Sequence, residues 1–206
     1  MVFGSALGGT GVAHASAAEI PKGFLLTEAK ARKAIPPPLD DEEWWKISDK
    51  PSSQLELDPC STKGKPRDGR VAMRTITHET SAPSYSGEQL VLYRNATSAK
   101  AALAKLRAEL KRCSRGPYRY SAKPLSVGDE AVSVTGHAYA KGKIDESSRT
   151  MWAVARRGSA LFFYSDFYDR GDSRDRILGD RALSKALAVD AKKMAKKVCD
   201  LPGVCG

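Results

Sequence analysis

From residue 118 to residue 167 the chain carries four consecutive strand patterns, 118–124, 130–139, 149–156 and 160–167, with no helical stretch between them. Parallel strands need a crossover of a dozen or more residues, so strands joined this closely must pair antiparallel. Arg157-Gly158-Ser159 reads as the hairpin turn between the last two. Val132 and Val134 alternate with Ser133 and Thr135, which gives one buried face. Leu161-Phe162-Phe163-Tyr164 is apolar on both faces, as a central strand would be. Two more strands are expected at 71–79 and 88–94, with the turn residues of 82–87 between them.

Helical patterns surround these strands. Residues 24–35 form a short helix with Thr27 as its N-cap and Pro36-Pro37-Pro38 as its stop. In 97–114, Leu103, Leu106, Leu110 and Cys113 recur at spacings of 3, 4 and 3, which puts the cysteine on the buried stripe. A last helix over 180–198 places Leu183, Leu187, Ala191, Met194 and Val198 on one face and lysines on the other. The order helix, two strands, helix, four strands, helix predicts an α+β fold, an antiparallel sheet of about six strands with helices packed on it.

The four cysteines allow three pairings. Cys199 and Cys205 bracket Asp-Leu-Pro-Gly-Val, whose Pro202-Gly203 turn can bring the ends together, and this leaves Cys60 to join Cys113. A zinc site would want paired C-x-x-C knuckles or nearby histidines, and neither is present, so two disulfides are expected and no metal. Disulfides fit an exported protein. Residues 1–18 are uncharged apart from a titratable His14, rich in Gly and Ala, and end in Ala15-Ser16-Ala17, a small-x-small site of the kind a signal peptidase accepts. The expected organisation is a signal-peptide remnant over 1–18, a helix and Pro/acid-rich arm over 19–59, and a single α+β domain over 60–206 on which the arm packs. No segment approaches the 18 apolar residues of a membrane span, and a secreted location is expected.

The net charge of +10 is read first as solubility. An anionic cell-surface polymer is the partner that charge admits; the basic residues are scattered rather than interleaved with aromatics on one face, so no specific nucleic acid is expected. Catalytic patterns are missing. There is no G-x-S-x-G elbow and no H-E-x-x-H pair, and the disulfides use every thiol, so the chain is expected to be no enzyme and to carry no cofactor. His78 and His137 read as strand histidines. Asp166, Asp169, Asp172, Asp175 and Asp180 recur too widely for a calcium loop and are interleaved with Arg170, Arg174, Arg176 and Arg181, a solvated, self-paired segment.

Binding candidates remain. Trp44-Trp45, after an acidic run and outside any expected regular element, is either an exposed anchor or a plug that pins the arm near Cys60. Trp152, Phe162, Tyr164 and Tyr93 form either a cleft lining or the core, with the core favoured, and His137 joins Trp152 and Phe162 in the cleft reading.

Several stretches recur together in one known group: the Phe24-Leu25-Leu26-Thr27 helix start, an early Cys60, an Ala-rich helix ending at Cys113, Val127-Gly128-Asp129-Glu130-Ala131, the Arg156-Arg157-Gly158 hairpin and a late cysteine pair. Over residues 22–206 the chain resembles the actinobacterial extracellular sensor-domain family typified by the PknH-like ectodomain of mycobacterial kinases. The resemblance implies a twisted antiparallel sheet flanked by helices, two disulfides and a cleft for an unknown ligand; this chain departs from it in lacking a kinase domain and a membrane-spanning helix. Three readings follow. The first is a secreted, non-catalytic binding module with a cleft on the sheet face. The second is a secreted inhibitor or structural partner that binds another protein through the Trp44-Trp45 arm; the expected partner is thus an unknown small ligand for the first or a protein for the second. The third is a hydrolase, which a His–carboxylate pair in a deep cleft would revive.

Overall fold

The computed structural model describes residues 19–35, 43–61, 68–81, 84–114, 118–168 and 179–206. The expected signal remnant over 1–18, the proline run, Asp40 to Glu42 and Asp169 to Asp175 lie outside the described residues.

The elements run α1 (Glu28–Ala34), β1 (Glu43–Ser48), β2 (Arg70–Thr80), β3 (Ser84–Tyr93), α2 (Ala96–Cys113), β4 (Tyr118–Pro124), β5 (Glu130–Ala140), β6 (Lys143–Arg157), β7 (Ala160–Tyr168) and α3 (Asp180–Lys197). The strands form one antiparallel sheet of seven in the order β1-β2-β3-β7-β6-β5-β4. The α+β expectation holds, with one correction. Trp44 and Trp45 are not outside regular structure: they lie in β1, the edge strand, paired with Glu79 and His78 of β2. The missed signal is short: Trp45 and Ile47 alternate with Lys46 and Ser48 over one six-residue strand.

The sheet is sandwiched. On one face Ile76, Leu90, Phe162, Ala153 and Ala155 pack with α1, α3 and the C-terminal Leu201 and Val204. On the other, Met73, Val91, Phe163, Val154 and Trp152 pack with the Leu103, Leu106 and Leu110 stripe of α2. Both faces of β7 are therefore filled, and Leu161, Phe162 and Phe163 are each fully buried. Asn95 caps α2 by accepting the Ser98 N–H at 2.8 Å.

Thr27 does not cap α1 as expected. It has helical backbone angles and no capping bond. The buried Glu88 of β3 serves instead, accepting the Leu26 and Thr27 N–H groups at 2.7 Å each and the Thr27 hydroxyl at 2.6 Å. A carboxylate suits that end of a helix, where N–H groups lack partners. A second buried carboxylate, Glu28, holds Arg74 of β2 at 3.2 Å, and Arg74 also donates to the Pro21 carbonyl. This pins the N-terminal segment onto the sheet.

Both disulfides are formed as paired, Cys60–Cys113 and Cys199–Cys205. The first ties residues 54–60 to the end of α2. The second closes the tail, whose Val204 carbonyl accepts the Ser159 N–H of the β6–β7 hairpin at 3.0 Å. Gly158 in that hairpin has φ of 55°, and a Cβ there would run into the Val204 carbonyl. The Gly-Asp-Glu-Ala stretch builds the adjoining corner. Gly128 has φ of 59°, and Asp129 accepts the Gly158 N–H and an Arg157 N–H at 2.8 Å each. Burial would raise the Asp129 carboxyl, but these hydrogen bonds and the guanidinium groups of Arg156 and Arg157 hold it below the usual range. That motif is architectural.

Candidate functional site

Antiparallel register sets side chains in rows across the sheet. On the α1/α3 face, one row runs Trp45, His78, Ser86, Asp166 across β1, β2, β3 and β7. The next row inward is Ile47, Ile76, Glu88, Tyr164. A third, with Leu90 and Phe162, is closed core. Between Thr27, just before α1, and Leu187 and Asp190 of α3, the first two rows leave a cleft of about 170 Å³.

Its walls are specific. Trp45 stacks on His78 with ring centres 4.1 Å apart. At the rim Glu43 accepts from the Trp45 indole at 3.5 Å and sits 3.2 Å from His78 Nε2. Those two bonds, Trp45 first, hold the Glu43 carboxyl below its usual range. The floor is the Glu88–Tyr164 pair, joined at 2.8 Å. Burial and the neighbouring Glu88 carboxylate push the Tyr164 hydroxyl far up, so it stays a donor. Asp166 is different. No hydrogen bond or ion pair to it forms among the described residues, and burial alone raises its carboxyl above the ordinary aspartate value. Asp190 of α3 faces the same cleft, paired with Lys193 at 2.8 Å, and Lys30 of α1 stands over the Trp45 ring at 5.0 Å. Of its three carboxylates, Glu88 and Asp190 have partners and Asp166 has none among the described residues.

The structure separates the residues expected to act together. Trp45 and Tyr164 share the cleft. Trp44, its side chain on the opposite face, is 41% exposed. Trp152 and Phe162 are buried on opposite faces of the sheet, and Tyr93 is buried with Trp152. No cleft can be lined by Trp152 and Phe162 together. His137 lies on β5 at the irregularity between Gly136 and Ala138, across from Arg119 of β4. His78, Ser86, Glu88 and Asp166 were not legible as a group, because only the β2–β3–β7 register aligns them.

His78 and Glu43 are a His–carboxylate pair, but at the rim, where the Glu43 side chain is 52% exposed. Among the described residues no hydrogen bond joins His78 to Ser86, so the row lacks the nucleophile–base contact that acyl-transfer chemistry needs. No group of three or more His, Cys, Asp or Glu side chains able to hold a metal occurs among the described residues. Among them, too, no helix is long and apolar enough to cross a membrane.

No protein-family model matches the chain, and no curated protein matches it. Among solved structures it is similar to the extracellular domain of PknH from Mycobacterium tuberculosis, with a TM-score of 0.53 and 11% identity over 84% of this chain and 93% of that one. At that identity the likeness shows a shared fold: the antiparallel sheet flanked by helices that the sequence resemblance implied.

Proposed function

We propose that the protein is an exported, non-catalytic binding module of the sensor-domain type, and that its ligand is a small organic cation held in the cleft beneath α1 and α3. The two disulfides and the fold shared with an extracellular domain support export. The observation that carries the ligand assignment is Asp166, a part-buried carboxylate without a partner among the described residues, in a cleft whose other two carboxylates, Glu88 and Asp190, are already bonded. An ammonium group entering there would recover the desolvation that Asp166 bears. The Trp45–His78 stack and Leu187 offer apolar wall to a short methylene chain.

The test is a ¹⁵N-HSQC titration with putrescine, and with succinate as the dianion of similar length. Putrescine should give saturable shifts at Trp45, His78, Ser86 and Asp166, succinate none. Asp166→Asn should weaken putrescine about tenfold, the loss of one charge-assisted contact. Saturable succinate binding in these rows, or putrescine binding indifferent to Asp166→Asn, contradicts the assignment.

A further inference from the structure

The opposite face of the same strands carries a second recess. There the rows are Trp44, Glu79, Tyr85; then Lys46, Thr77, Gly87, Ser165; then Ser48, Thr75, Gln89. Helix α2 does not reach over them. The segment 53–56 walls them on one side and leaves a groove of about 410 Å³. This is large enough for a ring-sized ligand.

Its lining is polar and fixed. Glu56 is the key piece, a carboxylate with no cation partner among the described residues. It accepts from the Tyr85 hydroxyl at 2.8 and 2.9 Å and from the Ser165 hydroxyl at 2.6 Å. Gly87 makes room for it, since a Cβ at 87 would collide with Glu56 Oε1. The Glu56 N–H donates to Gln89 Oε1 at 2.9 Å, and Gln89 Nε2 donates to Thr75 Oγ1 at 2.8 Å. Burial raises the Glu56 carboxyl, offset in part by the hydroxyl bonds. Lys46 and Glu79 are the other charged groups in the lining, one row apart. With two carboxylates and one ammonium, the groove lacks the positive field an anionic polymer wants, and Glu56 is held by hydroxyls rather than by a cation.

Beside this floor stands Trp44, directly across from Glu79 and 41% exposed. An exposed indole next to a row of hydroxyl, amide and carboxylate groups is complementary to a molecule with one C–H face and a rim of hydroxyls. We infer that this groove is a carbohydrate subsite, with a neutral sugar ring lying on the Trp44 indole and its hydroxyls bonded to Lys46, Thr77 and Glu79. An apolar ligand would cover the Lys46, Thr77 and Glu79 side chains without bonding to them. Gly87 and Ser165 border both sites, but the groups that would hold the sugar (Trp44, Lys46, Thr77 and Glu79) are not among those lining the cation cleft, and either site can fail without the other.

The experiment is an HSQC titration of the full chain with maltose, cellobiose and N,N′-diacetylchitobiose. At least one should give saturable shifts at Trp44, Lys46, Thr77 and Tyr85. Trp44→Ala should weaken that sugar about tenfold, and Thr77→Val several-fold. Both changes are on the surface, and unchanged circular dichroism and melting temperature will show that the variants fold. Ile144→Ser, at an exposed site on β6, should bind like the parent. Absence of saturable shifts in these rows with all three sugars overturns the inference, and so does binding that Trp44→Ala leaves intact.

Discussion

Removing the Cys60–Cys113 bond by the double change to serine should cost far more stability than removing Cys199–Cys205. The magnitudes follow from chain closure. The first bond spans a sequence separation of 53, which in the chain-entropy treatment corresponds to about 4 kcal/mol. The second spans 6, which corresponds to about 2 kcal/mol. Tail contacts do not reverse the order, because Leu201 and Val204 remain buried and the Ser159–Val204 hydrogen bond does not depend on the sulfur bridge. For a domain of this size the losses amount to roughly 8–16 °C and 4–8 °C in melting temperature. Urea unfolding followed by far-ultraviolet circular dichroism measures both. The first double variant should also lose definition of segment 54–60, and with it the wall of the Glu56 groove. Equal losses, or a larger loss for Cys199–Cys205, would refute the closure argument and its account of what holds that wall.

Other perturbations report on other parts of the molecule. Gly158→Ala should lower the melting temperature by several degrees, since the residue needs a positive φ and its Cβ meets the Val204 carbonyl; an unchanged melting temperature would remove that contact. Burial pulls the Glu28 carboxyl upward but is outweighed by the bonds from Gly23, Arg32 and Leu25 and by Arg74, so its folded pKa lies below the unfolded one. Its contribution is present above the ordinary glutamate range and is lost as pH falls through the folded value. Glu28→Gln should therefore cost about 3 kcal/mol at neutral pH, the scale for breaking a buried pair, and less in acid; a constant difference across pH would be wrong for this account. Asp166 has the opposite sign. Its raised carboxyl favours the folded state below the ordinary aspartate pKa, and that advantage disappears as pH rises through the folded value. Asp166→Asn should thus gain stability relative to the parent at neutral pH. The parent's affinity for putrescine should fall on acidification through the same range, whereas that of the variant should not.

What the sequence disclosed is tied to signals of short range. The stripe of Leu103, Leu106 and Leu110, the hairpin at Gly158 and the two-sided apolar run at 161–163 all rest on periods within one element, and each is where the pattern put it. The cysteine pairing was legible because one loop was short enough to decide the rest. Strand β1 was lost behind prolines and acids, whose composition hides a brief alternation. The site was least legible. His78, Ser86 and Asp166 are 8 and 80 residues apart in succession, and they share a row only because β3 pairs on one edge with β2 and on the other with β7. Asp166 in isolation reads as the first of a run of surface aspartates; its burial comes from α3 and the neighbouring strands. Trp152 and Phe162 illustrate the converse: two aromatics on neighbouring strands sit on opposite faces, which only strand register decides.

The most direct test of the central claim is a crystal structure of the protein grown with putrescine. The account predicts one ammonium group within about 3 Å of the Asp166 carboxylate and the methylene chain between Leu187 and the Trp45–His78 stack. An empty cleft beside putrescine bound elsewhere, or a cleft closed over by α3, would contradict it.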